Sequence, residues 1–176
     1  SVVQDKKWKT EFTAAFGFEN CKPDQNFLVW KSNHFQWLNR FQQQQILDAG
    51  VGFKLNKVIA FDVLYQSINH LLYFDSTAAP AQLQGKANNL AASLTLSKVF
   101  FKHLGIYVSH TYQQTSAAEV VKVPAQISVA KLYYHADFKD KPLQINIGAQ
   151  LRYYQSFNVY AYMPSTQVFY IQNARN

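Results

Sequence analysis

The chain is short of several things, and each shortage excludes something. It has one cysteine, Cys21, so no disulfide can form within it. Only 15% of its 176 residues are charged, against roughly 25% in an average soluble domain. The usual solubilising coat of lysine and glutamate is thin, and Gln, Asn, Ser and Thr supply the polarity instead. No run of 18 or more apolar residues occurs, which rules out a transmembrane helix. Acidic residues number 10 against 17 lysines and arginines, a net charge of +7, with a pI of about 9.4. Such a balance would suit nucleic acid. However, Lys54, Lys57, Lys98, Lys102, Lys139 and Lys141 scatter at turns and termini and form no stripe, so no nucleic-acid partner is expected. Basic turns suit acidic lipid headgroups. Ser1–Thr10 lacks the apolar stretch of a signal peptide, as a mature or truncated chain would.

What the chain does have is a two-residue beat. In the stretch from Leu143 to Tyr153, Leu143, Ile145, Ile147, Ala149, Leu151 and Tyr153 alternate with Gln144, Asn146, Gly148, Gln150 and Arg152. A strand sends successive side chains to opposite faces, so this segment has one oily and one wet face. The same beat runs through Trp8–Phe18, Leu28–Phe41, Leu47–Leu55, from Ile59, from Leu90, from Leu104, and through Ala130–Phe138. Leu64 interrupts it, falling on the wet side of its segment. Eight strands of roughly nine to twelve residues result, the length a tilted strand needs to cross a membrane. Short turns at Asn56, Phe101 and Asp140 alternate with longer loops at His70–Asn89 and Gln113–Pro124, and an aromatic tail follows Tyr154. Outer-membrane barrels alternate in this way, with short periplasmic turns and long outer loops. Aromatic residues make up 16% of the chain; they suit interfacial girdles, although rings also favour strands in general. The expected fold is all-β: a single domain over 1–176, an antiparallel up-and-down transmembrane β-barrel of about eight strands that forms part of a larger one.

Catalytic constellations of weight are missing. No Gly-rich phosphate loop, HExxH or GxSxG occurs. The histidines His34, His70, His103, His110 and His135 have no ligand spacing, and His34 and His135 fall at inward positions. Ser109 and His110 are adjacent, so they point to opposite faces and cannot form a nucleophile–base pair. Neither an enzyme nor a cofactor or metal is expected. The wet face carries what function is legible: Arg40, Asp48, Asp62, Lys131, His135, Asp137, Gln150 and Arg152 would line a lumen. A mixed-sign lumen rich in amides suits a watery path with weak ion selectivity. In a barrel of about eight strands alone, the same groups would fill the interior as salt bridges and amide networks.

Three segments carry a family resemblance. Asn33-His34-Phe35-Gln36-Trp37-Leu38-Asn39-Arg40-Phe41 resembles the N-x-F-x-W-x-N-x-F strand of the putative porins of Bacteroidota outer membranes. Tyr73-Phe74-Asp75 with Ala79-Pro80-Ala81-Gln82 is similar to that family's YFD…PAQ segment. Ala161-Tyr162-Met163-Pro164 with Phe169-Tyr170-Ile171-Gln172-Asn173 resembles its AYMP…FYxQN element. The resemblance implies a larger outer-membrane barrel of which this chain is an internal or trimmed part, since no terminal strand ending in an aromatic residue follows. It implies passive diffusion of small hydrophilic solutes, with outer-membrane lipid as the surrounding partner. Other readings stay open: a non-conducting barrel acting as an accessory subunit beside other outer-membrane proteins, a barrel enzyme, or a soluble lipocalin-like carrier with its oily face inward.

Overall fold

The computed structural model describes residues 9–101, 103–138 and 143–172. Long strands β1 (Thr10–Cys21), β4 (Gln44–Leu55), β5 (Ile59–Asn69), β8 (Lys86–Phe100), β9 (Leu104–Thr115), β10 (Gln126–Phe138) and β11 (Leu143–Tyr154) form one seven-stranded sheet in the order β1-β4-β5-β8-β9-β10-β11. Every pairing is antiparallel. The sheet is open: β1 and β11 are its edges, and the described residues close no barrel.

The register aligns the alternation from strand to strand. On one face Phe12 meets Phe53, which meets Phe61, which meets Leu94. Leu96 meets Val108, Val108 meets Ala130, and Ala130 meets Leu151. A one-residue slip would move all of these to the other side, so the oily face itself pins the pairing. That face is bare: Phe12 is 78% exposed, Phe16 74%, Ile147 67% and Leu151 72%.

The two ends of the sheet differ. At one end the joints are tight. Leu55–Val58 closes with Val58 N–H donating to Leu55 O at 2.9 Å, and Asn56 and Lys57 both have positive φ (50° and 58°). Positive φ at both central residues is the turn geometry that matches strand twist, and asparagine tolerates it. Phe101, also at positive φ (50°), turns β8 into β9. The expected turn at Asp140 lies outside the described residues.

At the other end every connection is long and folded into a cap. Between β1 and β4 lie α1 (Gln25–Leu28) and the hairpin of β2 (Val29–Lys31) with β3 (Gln36–Leu38). Between β5 and β8 lies the hairpin of β6 (Leu72–Phe74) with β7 (Pro80–Gln82). After β11 comes the hairpin of β12 (Ala161–Met163) with β13 (Val168–Tyr170). Phe74 joins them: its ring stacks on Phe27 at 4.6 Å and lies 6.3 Å from Trp37, and its carbonyl accepts from Ile171 N–H at 3.0 Å. Among the described residues the buried apolar side chains are Leu72, Phe74, Ala78, Ala87, Ala117, Val120 and Val168. All but Ala87 belong to the cap, so the core sits beside the sheet and not across its faces.

Two expectations need correction. Leu28–Phe41 is not a long strand. Ser32 N–H donates to Phe35 O at 2.8 Å and reverses the chain, leaving strands of 3 residues on each side, too short to cross a bilayer. The sheet therefore has seven long strands where about eight were expected. His70–Asn89 is not an irregular loop either, since it holds the β6–β7 hairpin and the first residues of β8.

Candidate functional site

Antiparallel partners share a face, so the polar side of the sheet is built in rows that cross the strands. Below a row of Glu19, Ile46, Ile68 and Ala87 at the cap end runs Gly17, Asp48, Gln66, Asn89, Thr115. Here Gln66 Nε2 donates to Asp48 Oδ1 at 2.9 Å, and Asn89 Nδ2 donates to Gln66 Oε1 at 3.2 Å. Both amides point their donors toward the carboxylate, which leaves Asn89 Oδ1 at the far end, shielded from solvent and without a partner. The next row is small and apolar: Ala15, Gly50, Leu64, Ala91, then Gln113. Gly50 leaves room there for the Leu64 side chain, whose Cδ2 would lie 2.8 Å from a Cβ at that position.

Farther from the cap the central strands carry hydroxyls. Ser93 Oγ and Thr111 Oγ1 are 2.8 Å apart, and Thr95 Oγ1 and Ser109 Oγ 3.1 Å. On one flank of this neutral strip stand Asp48 and Asp62, with Glu11 and Lys54 paired at 3.8 Å. On the other flank Lys131 lies over the Tyr107 ring at 5.1 Å, and the Arg152 guanidinium donates to the Gln150 side-chain oxygen. His135 Nδ1 lies 2.6 Å from Asn146 Oδ1. The Tyr133 ring lies across Gly105, where any side chain would overlap it. Asp48 and Asp62 thus stand on β4 and β5, Lys131 and Arg152 on β10 and β11, and Lys54 of β4 pairs with Glu11 of β1.

A groove of about 660 Å³ opens on this face beneath the cap. Its floor is Ala15, Gly50, Leu64 and Ala91; Asp48, Gln66 and Asn89 form one wall, and Val121 and Val123 from the β9–β10 connection form another. That connection is a strap bent over the face. Gln113 Nε2 donates to Pro124 O at 2.7 Å. The Tyr160 hydroxyl donates to Val120 O at 2.7 Å and accepts from Lys122 N–H at 3.1 Å.

Of the residues read from the sequence as lumen-facing, Asp48, Asp62, Lys131, His135, Gln150 and Arg152 share the polar face. Asp137 pairs with Gln144 in the same alternation, and its side chain lies outside the described residues. Arg40 does not join them. It follows β3 in the cap and is exposed, as is His34 at the β2–β3 turn, because the segment that was to carry both across the membrane is a hairpin. The face brings no two of the acidic and basic lumen residues into an ion pair among the described residues. Neither does any group of three or more His, Cys, Asp or Glu side chains there offer a metal site.

Sequence reasoning missed the groove. Its amides Gln66 and Asn89 are unremarkable by type, and the strap residues come from a connection whose path alternation cannot give. One signal was legible: Leu64, the apolar residue out of phase, is the groove floor. His110, opposite Ser109 on the oily face, is bonded there, with Nδ1 2.8 Å from Ser128 Oγ.

The segments that resemble known porins meet in the cap through Trp37, Phe74 and Ile171. No curated protein and no solved structure matches the chain. A family model described as putative porin matches residues 3–176. With that match spanning nearly the whole sequence, the chain belongs to the putative porin family.

Proposed function

We propose that the chain forms part of an outer-membrane β-barrel that lets small hydrophilic solutes diffuse across. The observation that carries the reading is the bare apolar face spanning all seven strands, opposite a face of amides, hydroxyls and sparse charges. In water such a face would be an aggregation surface; against lipid it is the solvated side. The open edges at β1 and β11 support a ring with further strands. Unpaired strand N–H and C=O groups cost several kcal/mol each in hydrocarbon, and closure removes them. A ring larger than eight strands leaves a lumen that side chains do not fill. The tight turns would then face the periplasm and the cap the exterior.

Chemistry on a solute is not part of this reading: the polar face would filter by width and by its sparse, mixed charges. The inward strap favours a second reading, in which the lumen is held shut and the barrel serves as an accessory subunit. Planar-bilayer recording on the natural protein, extracted in detergent, separates the two. Stepwise ohmic currents are expected. A protein that inserts and stays silent overturns the porin reading in favour of the accessory one.

A further inference from the structure

We propose that the groove under the strap is a binding subsite for a neutral polyhydroxylated solute of mono- to disaccharide size. The proposal rests on the reading of this face as solute-facing. The groove, at about 660 Å³, falls in the range of small-ligand sites, roughly 300–1,000 Å³. Its polar wall is rich in unused acceptors. Asp48 Oδ1 takes one hydrogen bond, from Gln66, so its carboxylate has capacity to spare. Asn89 Oδ1 takes none, and the soft terminal torsion of an asparagine can swing it toward the groove. One Gln113 Nε2 hydrogen is committed to Pro124 O, and the side-chain oxygen of that residue adds a further acceptor. The wall therefore asks for a ligand that donates.

Three ligand classes donate poorly here. An anion meets Asp48 with no cation beside it. A purely apolar molecule leaves the Asp48–Gln66–Asn89 row unanswered, at a cost in desolvated polar groups. An ammonium group concentrates its donors at one point, whereas Asp48 and Asn89 stand two strands apart, about 9–10 Å at the backbone. A sugar spreads hydroxyls along its edge over such a distance and carries C–H groups on its ring face. Those would lie on Leu64 and Ala91 and against Val121 and Val123.

The test is equilibrium binding of maltose and glucose to the detergent-solubilised full chain, read by saturation-transfer NMR, with butylamine and acetate as comparison probes. Saturable, weak sugar binding is expected, on the order of millimolar. Asn89→Ala removes one acceptor and should weaken it about fivefold. Val121→Trp fills the groove from the strap, away from the sheet hydrogen bonds, and should abolish it even where Asn89→Ala fails to fold. Ser93→Ala, outside the groove, should leave it unchanged. No saturable sugar binding, tighter binding of butylamine, or indifference to Val121→Trp overturns the subsite. Sugar binding without conductance would sink the channel and keep the subsite, and conductance without sugar binding would do the reverse.

Discussion

The sheet and the cap solve the same problem in opposite ways. The sheet has long strands, continuous pairing from β1 to β11 and almost no buried side chains; most of its large apolar residues lie exposed on one face. The cap has strands of 3 residues and yet holds most of the buried apolar side chains. A sheet in lipid needs no core, since hydrocarbon takes the place of one. A loop assembly in water does, because only burial offsets the entropy of ordering it. On the proposed porin reading, two solvents acting on one chain account for the difference.

Five substitutions probe that contrast. Phe74→Ala should cost the cap about 3–5 kcal/mol, because the ring is 8% exposed and touches both α1 and β3 segments. Hydrogen exchange should speed up over 72–82 and 168–171 while amides in mid-sheet keep their protection. Equal loss in both regions would mean that cap and sheet share one core. Leu94→Arg, on the oily face of the central strand β8, should destabilise the protein in liposomes by about 2–4 kcal/mol. Ser93→Arg, its neighbour on the polar face, should cost far less. Urea unfolding in liposomes measures both, and reversed costs would turn the sheet inside out.

Tyr160→Phe removes the two hydrogen bonds that its hydroxyl makes to the strap, about 1 kcal/mol each. Faster exchange confined to residues 120–123 is the expected result, and an unchanged strap would show that Val121 and Val123 hold themselves.

The smallest effect concerns Asp75, in the turn between β6 and β7. Burial pushes its carboxyl up, but this is outweighed by hydrogen bonds from the Thr77 hydroxyl and the Thr77 and Ala79 N–H groups, and the net shift is downward. A folded-state pKa below the unfolded one adds stability above the ordinary Asp range, near 3.9, and that stability is lost as the pH falls through the lowered value. Protection of the Asp75–Ala79 turn should therefore drop on acidification from pH 7 in the native protein. In Asp75→Asn it should already be reduced at pH 7 and change less with acid.

The sheet was legible because period two survives at almost every long strand, and a strand that must be oily on one side can hardly hide it. Leu28–Phe41 misled for the same reason. Phe35, Trp37 and Phe41 keep the beat, but the reversal at Ser32–Phe35 puts the Phe35 and Trp37 rings into the cap's aromatic cluster. Local turn chemistry overrode the pattern there. The groove was hidden for a different reason. Gln66 and Asn89 acquire their meaning from partners 18 and 23 residues distant, and the strap's path depends on Tyr160, 40 residues away from Val120.

By itself, then, the sequence determined that the chain is a set of two-faced strands with tight turns at one end, because side-chain alternation and turn chemistry are local properties. Only the tertiary structure decided where the core lies, that Leu64 faces a strap and not an error of pattern, and that Arg40 stands apart from the polar face. Those outcomes depend on register and on contacts between distant segments, which no local stretch of sequence encodes.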